Sequence, residues 1–579
     1  MKYVFDTISA KKYNLIVLIL FVLFSIVLTY PLAFHMDTGL EIGDPALNAW
    51  ILAWDVHSIL TDPLNIFNTN VFYPFTHNNL AFSEDLFADM LVAFPIIVIT
   101  KNVILAYNTI FILSFVLSGF GVFLLVDYYL KDKYSAFLAG FAFAFCAFRF
   151  SHIGHLQLLT IELIPISILY FDKFIKVNNY KNLSLFYIFY FLQILSCWYY
   201  AFYLTFLLGL LIIYNFVING DFRRKVFDRS FQLKVALLLT LLVVTLAPIA
   251  APYIEIANEY GAARSLAEVS SNSGDVADYL FAPPFNMIYG KIYPPSGRAW
   301  WEHSLFPGVS VTILGFYGLL SINNKRNFYL RYMGGSTQNF YLILAFFAFV
   351  LSLGTQLHFF GHVMNINLPY NYFYEYIPGF KSMRAPVRWG VMVTFSLSIL
   401  AGYGLNKLIN HKSNAKRFTI FLLCILLILL ESIYVPLGYG TAPLGKNIPE
   451  VYNWLSNETS DFAIVELPMI YVDQIQSGID LYKNTKYMYY STYHWKKLVN
   501  GYSGFTPENY IKIVNTIKSF PSNESIELLH SLGIKYVIVH KDDIDLTTWN
   551  HINKSIEKYK NKDVKSIKTF NQDYVYEMN

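Results

Sequence analysis

The chain has 579 residues, of which 55% are hydrophobic, 18% aromatic and only 14% charged. A soluble domain averages about a quarter charged residues, so this composition excludes an ordinary soluble enzyme and a disordered protein. The formal net charge of +4 is small for this length and implies no nucleic-acid partner.

The first apolar run, 13–34, is longer than a signal-peptide core. No small-residue cleavage site follows it, so it reads as a retained membrane helix. Spanning about 30 Å of hydrocarbon takes roughly 20 apolar residues. Further runs centre on 84–100, 104–129, 135–150, 157–173, 183–197, 200–218, 234–254, 307–323, 338–354, 388–408 and 418–436. The three cysteines, Cys146, Cys197 and Cys424, lie within such runs. They give neither a disulfide framework nor a CxxC metal spacing and read as small core residues.

Lys and Arg in short loops mark the cytoplasmic side. The clusters are Lys2, Lys11 and Lys12; Lys131 and Lys133; Lys173, Lys176 and Lys181; Arg223, Arg224, Lys225, Arg229 and Lys234; Lys325, Arg326 and Arg331; and Lys407, Lys412, Lys416 and Arg417. From residue 13 to residue 100 there is neither Lys nor Arg. Two crossings between this stretch and Lys131 would invert every later cluster, so one of the two runs there does not cross. Segment 84–100 opens with Glu84, Asp85 and Asp89 and carries Pro95, and it is expected to be a juxtamembrane or re-entrant helix. The expected architecture is mainly α. It is a polytopic membrane protein of about 11 crossings with the N-terminus inside and the C-terminus outside. A transmembrane domain covers 1–436, with a long external first loop at 35–102.

Residues 437–579 hold 15 of the 43 Lys and Arg residues and no spanning run. Stretches 462–468 and 534–540 read as strands. Stretch 523–532 reads as a short amphipathic helix, with Ser522 as N-cap and Gly533 as terminator. The expectation is an external α/β domain.

The first loop carries eight carboxylates, Asp37, Glu41, Asp44, Asp55, Asp62, Glu84, Asp85 and Asp89, against one base, Lys101. Its stretch PALNAWILAWDVHSIL (45–60) has the spacing of an amphipathic helix lying on the membrane. Asp44 followed by Pro45 reads as an N-cap with Pro at the first helical position. A carboxylate held there beside the bilayer is also suited to act as a general base for an acceptor hydroxyl. A second acid three residues earlier, Glu41, would instead suit a divalent cation such as Mg or Mn.

Three features resemble the GT-C superfamily of polytopic glycosyltransferases. The first helix ends in TYPLAFH (29–35) and leads into a long loop with the early acidic motif EIGDPALNAWILAW. Juxtamembrane helices and short-looped helices follow, and LAGFAFAFCAFRFSHIGHLQLL (138–159) is similar to the third crossing and its short loop. A soluble C-terminal domain stands on the same side as the first loop. The chain is also similar, through MYYSTYHWKKLVNGYSG (488–504), to a prokaryotic group of such membrane proteins. The resemblance covers roughly 13–440. It implies a polyprenyl-phosphate-linked sugar as donor, a glycan, lipid or protein as acceptor, and the cell membrane as location. It also implies that Asp44 is the catalytic base. The plain paired-acid motif of some members is replaced here by Gly43-Asp44.

Other candidates follow from residue type and position. Arg149, His152, His155 and Gln157 fall at the external end of the third crossing. There they would bind a donor phosphate, or a metal with help from the first-loop acids Glu41, Glu84 and Asp85. His152 and His155, three apart, would share a helical turn. Arg384 and Arg388, four apart and external, suit phosphate as an arginine fork. Arg264 and Glu302 lie in the loop 256–305, where Glu302 beside Trp300 and Trp301 would grip a sugar. The stretch Tyr493 to Lys496 would contact the acceptor or cover the site.

The reading is an inverting membrane glycosyltransferase. Its rivals are a lipid or polysaccharide transporter and a non-catalytic scaffold of the same fold. Charges at helix ends rather than at mid-membrane favour the enzyme over the transporter.

Overall fold

A computed structural model of the chain describes residues 10–261, 263–292, 300–320, 328–437, 448–469, 483–560 and 562–579, with backbone only at 10 and 328–336. Lys2, Lys325, Arg326 and the Arg331 side chain lie outside the described residues. The protein is an integral membrane protein built mainly of helices. Among the described residues six helices are long and apolar enough to cross a bilayer: Lys11–Leu28, Val103–Leu130, Lys133–Ser151, Trp198–Ile218, Arg229–Tyr260 and Pro386–Ile409. Shorter apolar helices are Phe87–Thr100, Val309–Leu319 and Thr337–Ser352. Helix Phe87–Thr100 has 14 residues and contains Pro95, well short of the roughly 20 that a crossing needs.

The chain divides into two compact units. The first comprises Met1–Ala33, Phe111–Ala247 and Ala263–Leu437. Four of its basic clusters meet at one end of its helices. Arg417 pairs with Asp132, Lys176 Nζ donates to Tyr128 Oη at 3.0 Å, Lys225 Nζ donates to the carbonyls of Ile175 and Lys176, and Lys234 Nζ donates to the Asn178 carbonyl. These contacts place the Lys- and Arg-rich loops together, as the loop-charge rule requires.

Where helices touch without a water-driven force, small residues let backbones approach. A Cβ on Gly404 would lie 2.0 Å from the Leu314 carbonyl oxygen, and one on Gly318 would lie 2.5 Å from that of Leu400. Helices Val309–Leu319 and Gly390–Ile409 therefore meet backbone to backbone.

The second unit comprises Phe34–Ile110, Pro248–Ala262 and Gly438–Asn579. A five-stranded sheet forms its C-terminal part, from β3 (Ala463–Leu467), β4 (Lys497–Leu498), β5 (Ile534–His540), β6 (Val564–Phe570) and β7 (Asp573–Met578); β1 (Gln356–Phe359) and β2 (His362–Asn367) make a separate hairpin in the first unit. The sheet order is β4-β3-β5-β7-β6, with β3, β4 and β5 parallel and β7 antiparallel to β5. Every residue of β3 is buried, as expected of a parallel strand covered on both faces. Helix Asn523–Ser531 is capped by Ser522 through a reciprocal capping box, and Gly533 takes φ 64°, so the expected start and stop signals both hold. The first loop joins this sheet at its edge. Leu498 donates to the Asn70 carbonyl at 2.7 Å, Tyr73 to Leu498 at 3.0 Å and Phe72 to Asn500 at 3.2 Å.

At the carboxyl ends of β3 and β5, His540 Nε2 meets Glu466 Oε2 and Nδ1 meets Asp573 Oδ1, both at 2.7 Å. Burial alone would lower the His540 pKa; the bonds to Asp573 and Glu466 outweigh it and push the value up to about 9.

Two predictions follow from these contacts. Gly404→Val forces a side chain into the Leu314 carbonyl and should cost at least about 1–3 kcal/mol. Gly209→Ala, which meets nothing within 4 Å, should leave thermal unfolding in detergent unchanged or slightly improved. An unchanged Tm in Gly404→Val would contradict the close approach. For His540, the raised folded-state value means that its stabilisation is complete below about pH 6.5 and is lost as pH rises through about 9. The Tm of the C-terminal transition in the full chain should fall between pH 6.5 and 9.5, and this fall should be much smaller in His540→Gln.

Candidate active site

In the first unit the polar residues gather around one carboxylate. Glu302 is buried and accepts both Nε of Arg388, at 3.0 Å, and its Nη2. Arg384 Nη2 stands 3.5 Å from Glu302 Oε1, and His152 Nε2 lies 3.3 Å from Oε2. Burial works to raise the Glu302 pKa, but the Arg388 charge and the bonds from His152 and Arg388 hold it well below the usual carboxylate range. Helix geometry explains the cluster's place. Arg388 stands at the start of the span Pro386–Ile409 and Arg149 near the end of Lys133–Ser151, opposite the ends that carry Lys407 and Lys133.

The expected arginine fork thus divides its work. The Arg388 guanidinium is committed to Glu302 and lies over the Tyr199 ring at 5.0 Å. Arg384, whose side chain is 40% exposed, is the cation open to a ligand, and its backbone N–H is fixed by Tyr199 Oη at 3.2 Å. Glu302 neutralises these cations rather than presenting itself to a sugar.

Arg149 departs from its expected place at a donor phosphate. It is fully buried, and its guanidinium donates to the carbonyls of Ala144 at 3.0 Å and Leu159 at 2.8 Å and to Ser114 Oγ at 3.2 Å. With Phe115 stacked at 4.6 Å, it ties the end of one helix to the next turns. His152 and His155 do not share a helical turn. His152 closes helix Ala147–Ser151 and His155 precedes Leu156–Leu159, because the chain turns at Gly154. Their rings still come within 5.9 Å. His152 Nδ1 faces the Phe148 carbonyl at 2.8 Å. Its Nε2 faces Glu302, so both ring nitrogens face oxygen acceptors. Gln157 is half-buried in the next helix. Arg264 forms a surface pair with Glu268 at 3.3 Å and donates its backbone N–H to the Lys381 carbonyl, away from the Glu302 cluster's hydrogen bonds.

In the second unit, Asp44 begins the helix Asp44–Thr61, but it is not the cap. Gly43, at φ 102°, occupies that position, and no side chain caps the helix. The Gly43 N–H is satisfied instead by Thr485 Oγ1 at 2.9 Å. The Asp44 Oδ1 accepts from Tyr502 Oη at 3.1 Å. The first turn of a helix stabilises a negative charge there. The helix is also not an amphipathic ribbon on a membrane. It is buried on every face from Pro45 through Val56, where it packs against Phe87–Thr100 and Lys483–Ser491.

Glu41 and Glu84 are half-buried in the same loop. Asp85 is buried beside Asp55 and Asp89, and Tyr253 Oη donates to the Ser83 carbonyl at 3.0 Å and to Asp85 Oδ2 at 3.4 Å. Burial, with the charges of Asp85 and Asp89, raises the Asp55 pKa well above its ordinary value. An acid within WILAWDVHSIL was the available signal for this. Nothing local announced Tyr502, Thr485 or Tyr199. Among the described residues no three His, Cys, Asp or Glu side chains are grouped so as to hold a metal ion.

Removing one partner of a buried ion pair strands the other. Glu302→Gln should therefore destabilise the protein by roughly 3–5 kcal/mol, whereas Arg384→Ala, at a partly exposed pair, should cost about 0–1 kcal/mol. Thermal unfolding of the two variants checks this; equal losses would contradict the division of work between Arg384 and Arg388.

No family model matches the chain, and no curated protein matches its sequence. Its fold is similar to that of the arabinofuranosyltransferase AftD from mycobacteria, with a TM-score of 0.57 at 12% identity over 97% of this chain and 41% of that one. The chain thus spans less than half the length of AftD. It is also similar to ArnT from Cupriavidus metallidurans bound to undecaprenyl phosphate, with a TM-score of 0.49 at 12% identity over 96% of this chain and 97% of that one. The archaeal oligosaccharyltransferase AglB from Archaeoglobus fulgidus, in complex with an inhibitory peptide and a dolichol-phosphate, gives a TM-score of 0.48 at 12% identity over 92% of this chain and 70% of that one. At such identity the likeness is one of fold.

Proposed function

We propose that the chain is a GT-C-type membrane glycosyltransferase. It would move a hexosyl or pentosyl group from a polyprenyl-phosphate-linked donor to an acceptor hydroxyl on the external face of the cytoplasmic membrane, where the first loop and the C-terminal domain lie. The observation that carries the reading is Asp44, an acid at the first turn of a buried helix, held by the Tyr502 hydroxyl. The fold shared with AftD, an arabinofuranosyltransferase by name, supports the reaction class.

The chemistry is a single displacement. Asp44 takes the proton of the acceptor hydroxyl. The acceptor oxygen forms a bond to the anomeric carbon as the bond to the phosphate oxygen breaks, with inversion. The leaving group departs as a polyprenyl phosphate carrying the electron pair. The divalent cation that Glu41, Glu84 and Asp85 suggested remains part of the proposal, but no step is routed through it. Tyr502 is a positioning residue, since it acts through Asp44.

The test uses purified full-length protein, radiolabelled polyprenyl-phosphate sugars and membrane extract as acceptor source. Asp44→Asn should lower transfer by about 10²–10⁴-fold with Tm unchanged. Tyr502→Phe should lower kcat about ten-fold, the equivalent of one net hydrogen bond, with the KM for donor unchanged. Unchanged transfer in Asp44→Asn would remove Asp44 from the mechanism. No transfer by the folded wild type from any donor would favour the transporter or scaffold readings.

A further inference from the structure

In the first unit the hairpin of β1 and β2 exposes apolar side chains along its length. The strands pair antiparallel with Phe359 opposite His362, and every residue of β2 is exposed. Phe359, Phe360, Val363, Met364 and Ile366 are 41–58% exposed, and Leu280, next to the Phe281 ring that meets Phe360, is 57% exposed. An isolated two-stranded hairpin is marginal in water, and sheet edges that face water are blunted with charge, Lys above all. Here the sequence has no Asp, Glu, Lys or Arg from residue 332 to residue 374, although the apolar helix before the hairpin already ends at Ser352.

The tip is held in place. Phe360 N–H donates to Asp275 Oδ1 at 2.9 Å and Gly361 N–H to Asp275 Oδ2 at 2.7 Å, and Asp275 is itself buried. Two donors of the turn thus have a partner other than water, as a turn that leaves bulk water requires. Phe360 takes φ 50° and Gly361 φ 85°. Two-residue turns with both φ positive favour Asn-Gly, and a bulky residue there costs about 1–2 kcal/mol. The Phe360 ring meets Phe281 edge-on at 6.1 Å, but contacts inside the chain leave nearly half of its surface uncovered.

The patch continues the lipid-facing surface of the helix before it. On Thr337–Ser352, Leu342, Ile343 and Phe346 are exposed, and in a membrane helix such side chains face acyl chains. One turn beyond Phe346, Phe349 meets the Tyr279 ring at 5.1 Å, and Tyr279 Oη and Ser352 Oγ are hydrogen-bonded at 2.6 Å. Tyr279 ends the short helix Val276–Tyr279, which Asp275 caps. The apolar face therefore runs through Phe349 and Tyr279 to the residue that holds the hairpin tip. Only Leu353, Gly354 and Thr355 separate the helix from β1, each reaching at most about 3.6 Å. This is the Arg388 end of the helices, since Gly274 N–H donates to the Ser352 carbonyl and Val387 N–H to the Asn272 carbonyl.

We propose that the hairpin is an interfacial anchor, with the Phe359–Phe360 tip and the Met364 and Ile366 side chains set in the headgroup–acyl boundary of the leaflet at the Arg388 end. Open sheet edges do not occur in hydrocarbon, so the hairpin stops about 5–10 Å deep, where water still reaches its outer edges. A second copy of the chain suits the face less well. Leu280, Phe359, Phe360, Val363, Met364 and Ile366 fall far short of the roughly 20–30 residues a side of a standard protein interface. With no charged side chain from 332 to 374, the anchor acts by apolar burial and is indifferent to headgroup charge. It stands independently of the glycosyltransferase reading.

The experiment places a nitroxide on the full chain in phosphatidylcholine nanodiscs, in a Cys424→Ala background, since Cys146 and Cys197 are buried. Labels on Phe360→Cys and Met364→Cys are compared with Phe346→Cys, on the lipid face, and with Lys412→Cys, in the basic loop after helix Gly390–Ile409. Collision with oxygen reports acyl chains, and collision with a water-soluble nickel chelate reports water. The oxygen-to-nickel ratio at 360 and 364 should stand above that at 412 and below that at 346. It should not change when phosphatidylglycerol replaces part of the phosphatidylcholine. A ratio at both positions equal to that at 412 would put the hairpin in water, and exclusion of both reagents would put a protein over it; either result overturns the proposal. So would a ratio that rises with phosphatidylglycerol, which would assign the contact to headgroup charge. Met364→Cys stands away from the turn that Asp275 holds, so it decides the question even where Phe360→Cys loosens that turn.

Discussion

The pairing of residues 70–73 with β4 is the constraint on which the second unit depends. β4 has two residues and lies at the sheet edge. An edge strand offers unpaired N–H and C=O groups to any partner. Here the partner is the chain's own first loop, through Asn70, Phe72 and Tyr73. Phe72 also packs where a side chain at 501 would stand, since a Cβ on Gly501 would lie 2.5 Å from the Phe72 ring. Once that register is set, helix Asp44–Thr61 lies against Lys483–Ser491. Thr485 then reaches the Gly43 N–H across 442 residues of sequence, and Tyr502 reaches Asp44 across 458. The orientation of the proposed base is thus a property of the C-terminal domain.

The charges obey one rule in three forms. A buried charge must be paired or neutralised. Glu302 is paired, and its partner Arg388 is thereby removed from ligand duty. Asp55 is pushed toward its neutral form, by burial first and then by the charges of Asp85 and Asp89. His540 is charged, because Glu466 and Asp573 flank both ring nitrogens. Arg384 differs from all three by its exposure, and that difference, more than its residue type, recommends it for a phosphate.

Much of the fold was legible in the sequence, because it follows from local rules. Apolar runs gave the long helices. Ser522 and Gly533 bounded their helix, and alternation of strand and helix signals gave the C-terminal sheet. The candidate site was legible in composition and much less so in geometry. Asp44 and the Arg384–Arg388 pair were visible as residues, but which of them serve other residues depends on distant contacts. Arg149 binds carbonyls at 144 and 159 that no spacing rule reports. Gly43 took the cap position, and its N–H bonds to Thr485, a partner invisible from the local pattern. The period of 45–60 suggested one apolar face, and its polar-looking positions Asn48, Asp55 and Ser58 proved buried.

The second unit is assembled from three separated stretches, and this bears on what the C-terminal domain is for. Helix Arg229–Tyr260 carries Pro248 and Pro252 in its interior, and the chain passes from the first unit to the second at Pro248. Proline removes a backbone bond inside a helix, so a helix can change direction or partner there at low cost. The residues beyond it cover the first loop. Tyr253 donates to Ser83, and the Tyr260 ring meets Phe82 and Phe505 edge-on or tilted at 5.9 and 5.4 Å. The loop helix is too apolar to stand in water, and the neighbours it packs on include Lys483–Ser491. The loop, the Pro248–Ala262 stretch and the C-terminal sheet therefore make one folding unit. The C-terminal domain is thus part of the core that holds Asp44.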